Sequence, residues 1–189
     1  MLQPLKILSN IRAKECQMLR LYQSLSMENV AIAATCMNLT FECVKTLKAA
    51  PTSLGDNLQR AFEANTASLF TLAVNVIGEH IDDVSADSEQ NPLIQQIRAN
   101  ERKLILELRD LAIEYPFVAA ACCGLSEEQI QGLKSISSSE LIEFCYREHK
   151  NGPLFKIRLN KDSSFIELVK IGSKPCFKNV AWLFDRVNV

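Results

Sequence analysis

The stretch "IRAKE" at residues 11–15 returns as "IRANE" at residues 97–101. A fixed-spacing repeat constrains a fold more than any local propensity, because both copies must form the same unit. At an offset of 86, Ile11, Arg12, Ala13 and Glu15 meet Ile97, Arg98, Ala99 and Glu101 without a gap. Leu25 meets Leu111, Glu28 meets Glu114, and Ala33-Ala34 meets Ala119-Ala120. Cys36 meets Cys122, Leu39 meets Leu125, and Leu47-Lys48 meets Leu133-Lys134. Shifted by one, "SLFTLAV" at 68–74 lies over "PLFKIRL" at 153–159. Shared helical composition alone does not explain why turn and cap positions also coincide.

The second copy is the easier one to read. Residues 93–115 carry Leu104, Leu108, Leu111 and Tyr115 at three- and four-residue steps. This is the period of an amphipathic helix, and it leaves Arg98, Arg102, Lys103, Arg109 and Asp110 for solvent. Pro116 suits the first turn of a new helix, where its missing amide costs nothing. That helix, 117–123, is expected to stop at Gly124, which can take the left-handed conformation; Asn38 holds the same place in the first copy. Ser126 with Gln129 forms a capping box for a third helix. Ala120, Gly124, Ile130 and Leu133 then have helix-turn-helix spacing, and Ala34, Asn38, Val44 and Leu47 repeat it. Ser137 with Glu140 opens a fourth helix over 138–149, broken by "KNGP". "LFKIRL" alternates as a strand, and "NKDSS" is read as turning it into "FIELVKI", a β-hairpin. The tail "CFKNVAWLFDRV" is left open between helix and strand.

The organisation expected is a first repeat at 1–78, an acidic linker at 79–91, a second repeat at 92–159 and a C-terminal extension at 160–189. The chain is 48% hydrophobic and 23% charged, enough to bury a core. No apolar run reaches membrane-spanning length, and no signal peptide is apparent. The seven cysteines have no C-x-x-C pair and suit no metal framework, so a reduced, cytoplasmic setting is expected. Neither a phosphate-cradling glycine loop nor a metal-ligand cluster is present, so no cofactor or metal is expected.

The second copy resembles the FlhD family of bacterial flagellar master regulator subunits. The carriers are "LIQQIRANERKLILELRDLA", "ACCGLSEEQIQGLKSISSSELIEF" and "PLFKIRL", spanning Pro92 to about Leu159. The resemblance implies a mainly α fold: two tandem FlhD-like helical repeats with helix-turn-helix units, plus a short C-terminal β-hairpin and tail. It implies a subunit of a transcriptional activator, not an enzyme, working with an FlhC-like DNA-binding partner on the promoter DNA of flagellar or conjugative-transfer genes. The alternative is an adaptor that keeps the fold for protein contacts only. The family pairs through its long first helix, so Met18, Tyr22 and Leu25, matching Leu104, Leu108 and Leu111, are the interface candidates. They would serve an internal pseudo-dimer or a homo-oligomer.

Net charge is −1, too mild for strong independent binding to nucleic acid. The third helix of the second copy offers Glu127, Glu128, Gln129, Gln131 and Lys134, and its two leading carboxylates would repel phosphate. The first copy offers Phe41, Glu42, Lys45, Thr46 and Lys48. The DNA-contact candidates are instead Arg147, Lys150, Lys156, Arg158 and Lys161; a solvated surface is the competing reading. Cys145 and His149, four residues apart, have the spacing of a thiolate–imidazole pair, but no orienting group is identifiable and Cys145 sits in an apolar stripe.

Overall fold

The computed structural model describes residues 3–63, 68–76, 91–159 and 162–174. It is mainly helical with one small antiparallel sheet. The chain forms α1 (Gln3–Glu28), α2 (Val30–Met37), α3 (Phe41–Ala49), α4 (Leu54–Glu63) and β1 (Phe70–Leu72). It then forms α5 (Pro92–Glu114), α6 (Pro116–Cys123), α7 (Glu127–Ser135), α8 (Ser138–Glu148) and β2 (Phe155–Ile157), followed by α9 (Asp162–Gly172). Both ends of α2 and α3 lie 86 residues before those of α6 and α7, and α1 and α5 end at that same spacing. The strands lie 85 apart, as the one-residue shift in the aligned sequence requires.

Caps explain why the ends coincide. Asn38 and Gly124 both end their helices in the left-handed conformation, at φ 50° and 65°. The two expected capping boxes, Ser126 with Gln129 and Ser137 with Glu140, are both formed. α2 and α3 meet at 114° across residues 38–40, an angle that buries Ala33, Ala34, Val44 and Leu47 in the corner.

α1 packs along α5, and this is the backbone of the molecule. Lys14 Nζ pairs with Glu107 Oε1 at 2.8 Å, and Asn100 Nδ2 donates to the Lys14 carbonyl at 2.8 Å. Lys14 and Asn100 are themselves 86 residues apart, so the helices cross at equivalent positions. β1 and β2 then pair antiparallel, Phe70 opposite Ile157 and Leu72 opposite Phe155. Among the described residues, the strand of each half therefore pairs with the strand of the other. Among the described residues, no single helix is long and apolar enough to cross a membrane.

The expected C-terminal hairpin is not formed. β2 takes β1 as its partner, and residues 162–172 are helix α9, not a return strand. Phe165, Leu168, Val169 and Gly172 recur at helical steps and are buried, and α9 lies against α3 and α4. A short apolar run such as "FIELVKI" satisfies both periods, and here the long-range strand pairing decides between them. The acidic linker apart from Asn91, and the tail from Pro175, lie outside the described residues.

Candidate functional site

The six interface candidates are all buried: Met18, Tyr22, Leu25, Leu104, Leu108 and Leu111 are each at most 2% exposed. They sit on α1 and α5, the two helices that pack together. The outward faces of the helix corners are less apolar. α7 exposes Glu127, Glu128, Gln131 and Lys134; α3 exposes Phe41, Glu42, Lys45 and Lys48. Gln129, one of the residues considered for base contact, is buried. Its Nε2 donates to the carbonyls of Leu72 and Val74, tying α7 to the end of β1.

The basic candidates separate. Lys150 and Lys156 are exposed, as a phosphate contact requires. Arg147 is half-buried; its Nε donates to Glu148 Oε1 at 3.1 Å and its guanidinium lies 5.2 Å from the Phe144 ring centre. Arg158 does not share the open face expected for it. Its Nη1 donates to the Cys122 carbonyl at 2.9 Å, and its side chain covers Gly124, so it caps the C-terminus of α6. The cation thereby meets the negative end of that helix's dipole. Lys161 lies outside the described residues. On α5, Arg98, Arg102 and Arg109 are half-buried, not fully solvated: Arg98 Nη2 donates to the His149 carbonyl, Arg102 stacks on Tyr146, and Arg109 Nε donates to the Ile136 carbonyl.

One constellation was not foreseen. Glu15 and Glu101, the matched acids of "IRAKE" and "IRANE", are 0% and 1% exposed. Glu15 is saturated: it pairs with Arg12 at 3.2 Å and accepts from the Ser68 hydroxyl and the Phe70 amide. It thus fixes the start of β1 to α1. Glu101 instead meets the His149 ring, Oε2 to Nε2, at 2.8 Å. Glu101 Oε1 and His149 Nδ1 are buried without a hydrogen-bond partner among the described residues. Beside this pair lies a cavity of about 210 Å³. A signal for these acids exists in the sequence: each stands on the apolar stripe of its helix, four residues after Ile11 or Ile97.

Compared with known protein families, with curated proteins and with solved structures, the chain matches none.

Nucleophilic chemistry at Cys145 is not supported by its surroundings. Burial, and then the Glu101 carboxylate, push its thiol up to about 12, so it stays protonated near neutral pH. His149 turns its Nε2 to Glu101. Burial pushes Cys16 and Cys123 up to about 12 as well. Among the described residues, no group of acidic, His and Cys side chains has the arrangement of a metal site.

Proposed function

We propose that this chain is a subunit of a transcriptional activator, an FlhD-like pair of helical units joined in one polypeptide that acts with an FlhC-like DNA-binding partner. The observation that carries the reading is the doubled order of elements. Long helix, short helix, left-handed corner, third helix, fourth helix and strand occur twice, with α1 against α5. On this reading each α2–α3 or α6–α7 corner is a helix-turn-helix used for packing and partner contact. Base reading falls to the partner, because α7 leads with Glu127 and Glu128 and its Gln129 is buried. Lys150 and Lys156 supply what phosphate contact the chain makes within the complex.

The adaptor reading is favoured by the engagement of Arg158 and Arg147 within the fold, which leaves few cations for DNA. A mobility-shift titration separates the two. Promoter DNA taken from upstream of flagellar or conjugative-transfer genes is titrated with the purified chain, with an FlhC-like protein, and with both. The activator reading expects weak, sequence-indifferent binding by the chain alone and a tighter, sequence-specific shift by the pair. A pair that binds no better than the FlhC-like protein alone contradicts it and leaves the adaptor.

A further inference from the structure

We propose that the cavity beside Glu101 and His149 is a binding site for a small carboxylic acid that also bears a hydrogen-bond donor: an amino acid or a 2-hydroxy acid. The proposal stands on the cavity and does not depend on the activator reading.

Comparison at the repeat offset shows how the two junctions differ. In the first half, the Ser68 amide donates to the Cys122 carbonyl at 2.7 Å and its hydroxyl donates to Glu15. The residue 85 later is Pro153, which has neither an amide hydrogen nor a hydroxyl. Cys36, which matches Cys122, has its carbonyl met instead by the Tyr22 hydroxyl at 3.4 Å. The Phe70 amide reaches Glu15, but among the described residues no donor reaches Glu101 Oε1. Elsewhere the strands keep their equivalence: the Ala73 amide donates to the Leu154 carbonyl and the Arg158 amide to the Leu69 carbonyl. At Pro153 the second half therefore lacks the amide and hydroxyl donors that Ser68 supplies in the first.

The lining specifies the ligand. Glu101 is 1% exposed and His149 3%, and each keeps one unpartnered polar atom among the described residues. Buried polar atoms in folded proteins are almost always satisfied, so an occupant of this cavity is expected to bring a donor to Glu101 and a polar partner to His149. An ammonium or hydroxyl supplies the donor. Arg98 and Lys150 line the same cavity and give it a positive border, which suits a carboxylate. Ile94, Ile97 and the Tyr22 ring offer an apolar wall for a side chain. The volume, about 210 Å³, far exceeds the roughly 10–15 Å³ one water needs. It falls below the roughly 300–1,000 Å³ of pockets for larger ligands, which keeps the acid small. Tyr22 and Cys36 come from the first half and Glu101 and His149 from the second, so an occupant bridges the two.

The test is thermal unfolding of the full chain with each common L-amino acid, L-lactate, L-2-hydroxyisocaproate or L-phenyllactate at millimolar concentration. A ligand that binds only the folded state raises Tm. At least one of these acids is expected to do so, and Glu101→Gln is expected to weaken its apparent affinity about tenfold or more, the effect of losing a charge-assisted hydrogen bond. Should Glu101→Gln fail to fold, ring NMR of the wild type decides. The chain has two histidines, His80 and His149, so the His149 signals are assignable with a His80→Gln variant. The stabilising acid is expected to shift them on titration. The proposal is overturned if no acid raises Tm, if the rise is equal in Glu101→Gln, or if the stabilising acid leaves the His149 ring signals unmoved.

Discussion

Glu15 joins three elements through one carboxylate: Arg12 on its own helix, and the Ser68 hydroxyl and Phe70 amide at β1. Glu15→Ala would remove the carboxylate that pairs with the Arg12 guanidinium, which is 4% exposed, and would release the strand. Breaking a buried pair from one side costs about 3–5 kcal/mol, so a fall of that size in the urea unfolding free energy is expected. A loss under about 1 kcal/mol would mean that Glu15 is solvated in the native protein. The buried thiols give a second expectation at this scale. Cys16, Cys123 and Cys145 rise from 9.0 to about 12 on folding, so the folded state disfavours the thiolate. Their contribution is complete below the unfolded value near 9 and is lost as pH climbs through 12. The urea midpoint should therefore hold up to about pH 9 and fall above it. Alkylation of the folded protein near that pH should label half-buried Cys36 and Cys122 before these three.

Among the elements, the short strand β2 shows how a pattern in sequence is reassigned by packing. Lys156 and Arg158 alternate with Phe155 and Ile157, and alternation alone puts both cations on one open face. The register adds what the period cannot. Lys156 stands opposite Thr71 and is exposed, whereas Arg158, just past the strand, is drawn to the end of α6 by the Cys122 carbonyl. The two replacements should therefore part company. Lys156→Gln should leave stability within about 0.5 kcal/mol of wild type. On the proposed activator reading, with Lys156 on phosphate, it should also lower the salt slope of DNA binding by the chain and its FlhC-like partner by about 0.9. Arg158→Gln should cost about 1.5 kcal/mol in urea unfolding, the value of a hydrogen bond from a charged group. Equal stability for the two variants would show that the α6 cap carries no weight. The helices were legible because their signals are local: Pro116, Gly124 and the two capping boxes fix ends within a residue or two. α9 was not, because its alternative as a strand was removed only by β1, which ends 90 residues before α9 begins.

For the whole molecule, the residues matched at an offset of 86 were the most informative text in the chain: the long helices that carry them, α1 and α5, end at that spacing and pack together. The sequence did not reveal what the matched acids do. "IRAKE" and "IRANE" differ in one residue, yet Glu15 anchors a strand and Glu101 borders a cavity. One difference lies at Ser68 and Pro153, more than fifty residues away in each half, and no local pattern connects them. The account rests above all on the two halves pairing inside one chain. Lys14 and Glu107 touch across that pairing at 2.8 Å, about one-fifth exposed on each side, within reach of a carbodiimide that joins contacting amines and carboxylates directly. The measurement is carbodiimide cross-linking of an equimolar mixture of nitrogen-15-labelled and unlabelled chain, followed by mass spectrometry of the peptides. The expected result is a Lys14–Glu107 amide in the monomer band, with both peptides always carrying the same label. Absence of that amide, or its appearance chiefly as mixed-label pairs in a dimer band, would contradict an internal pair.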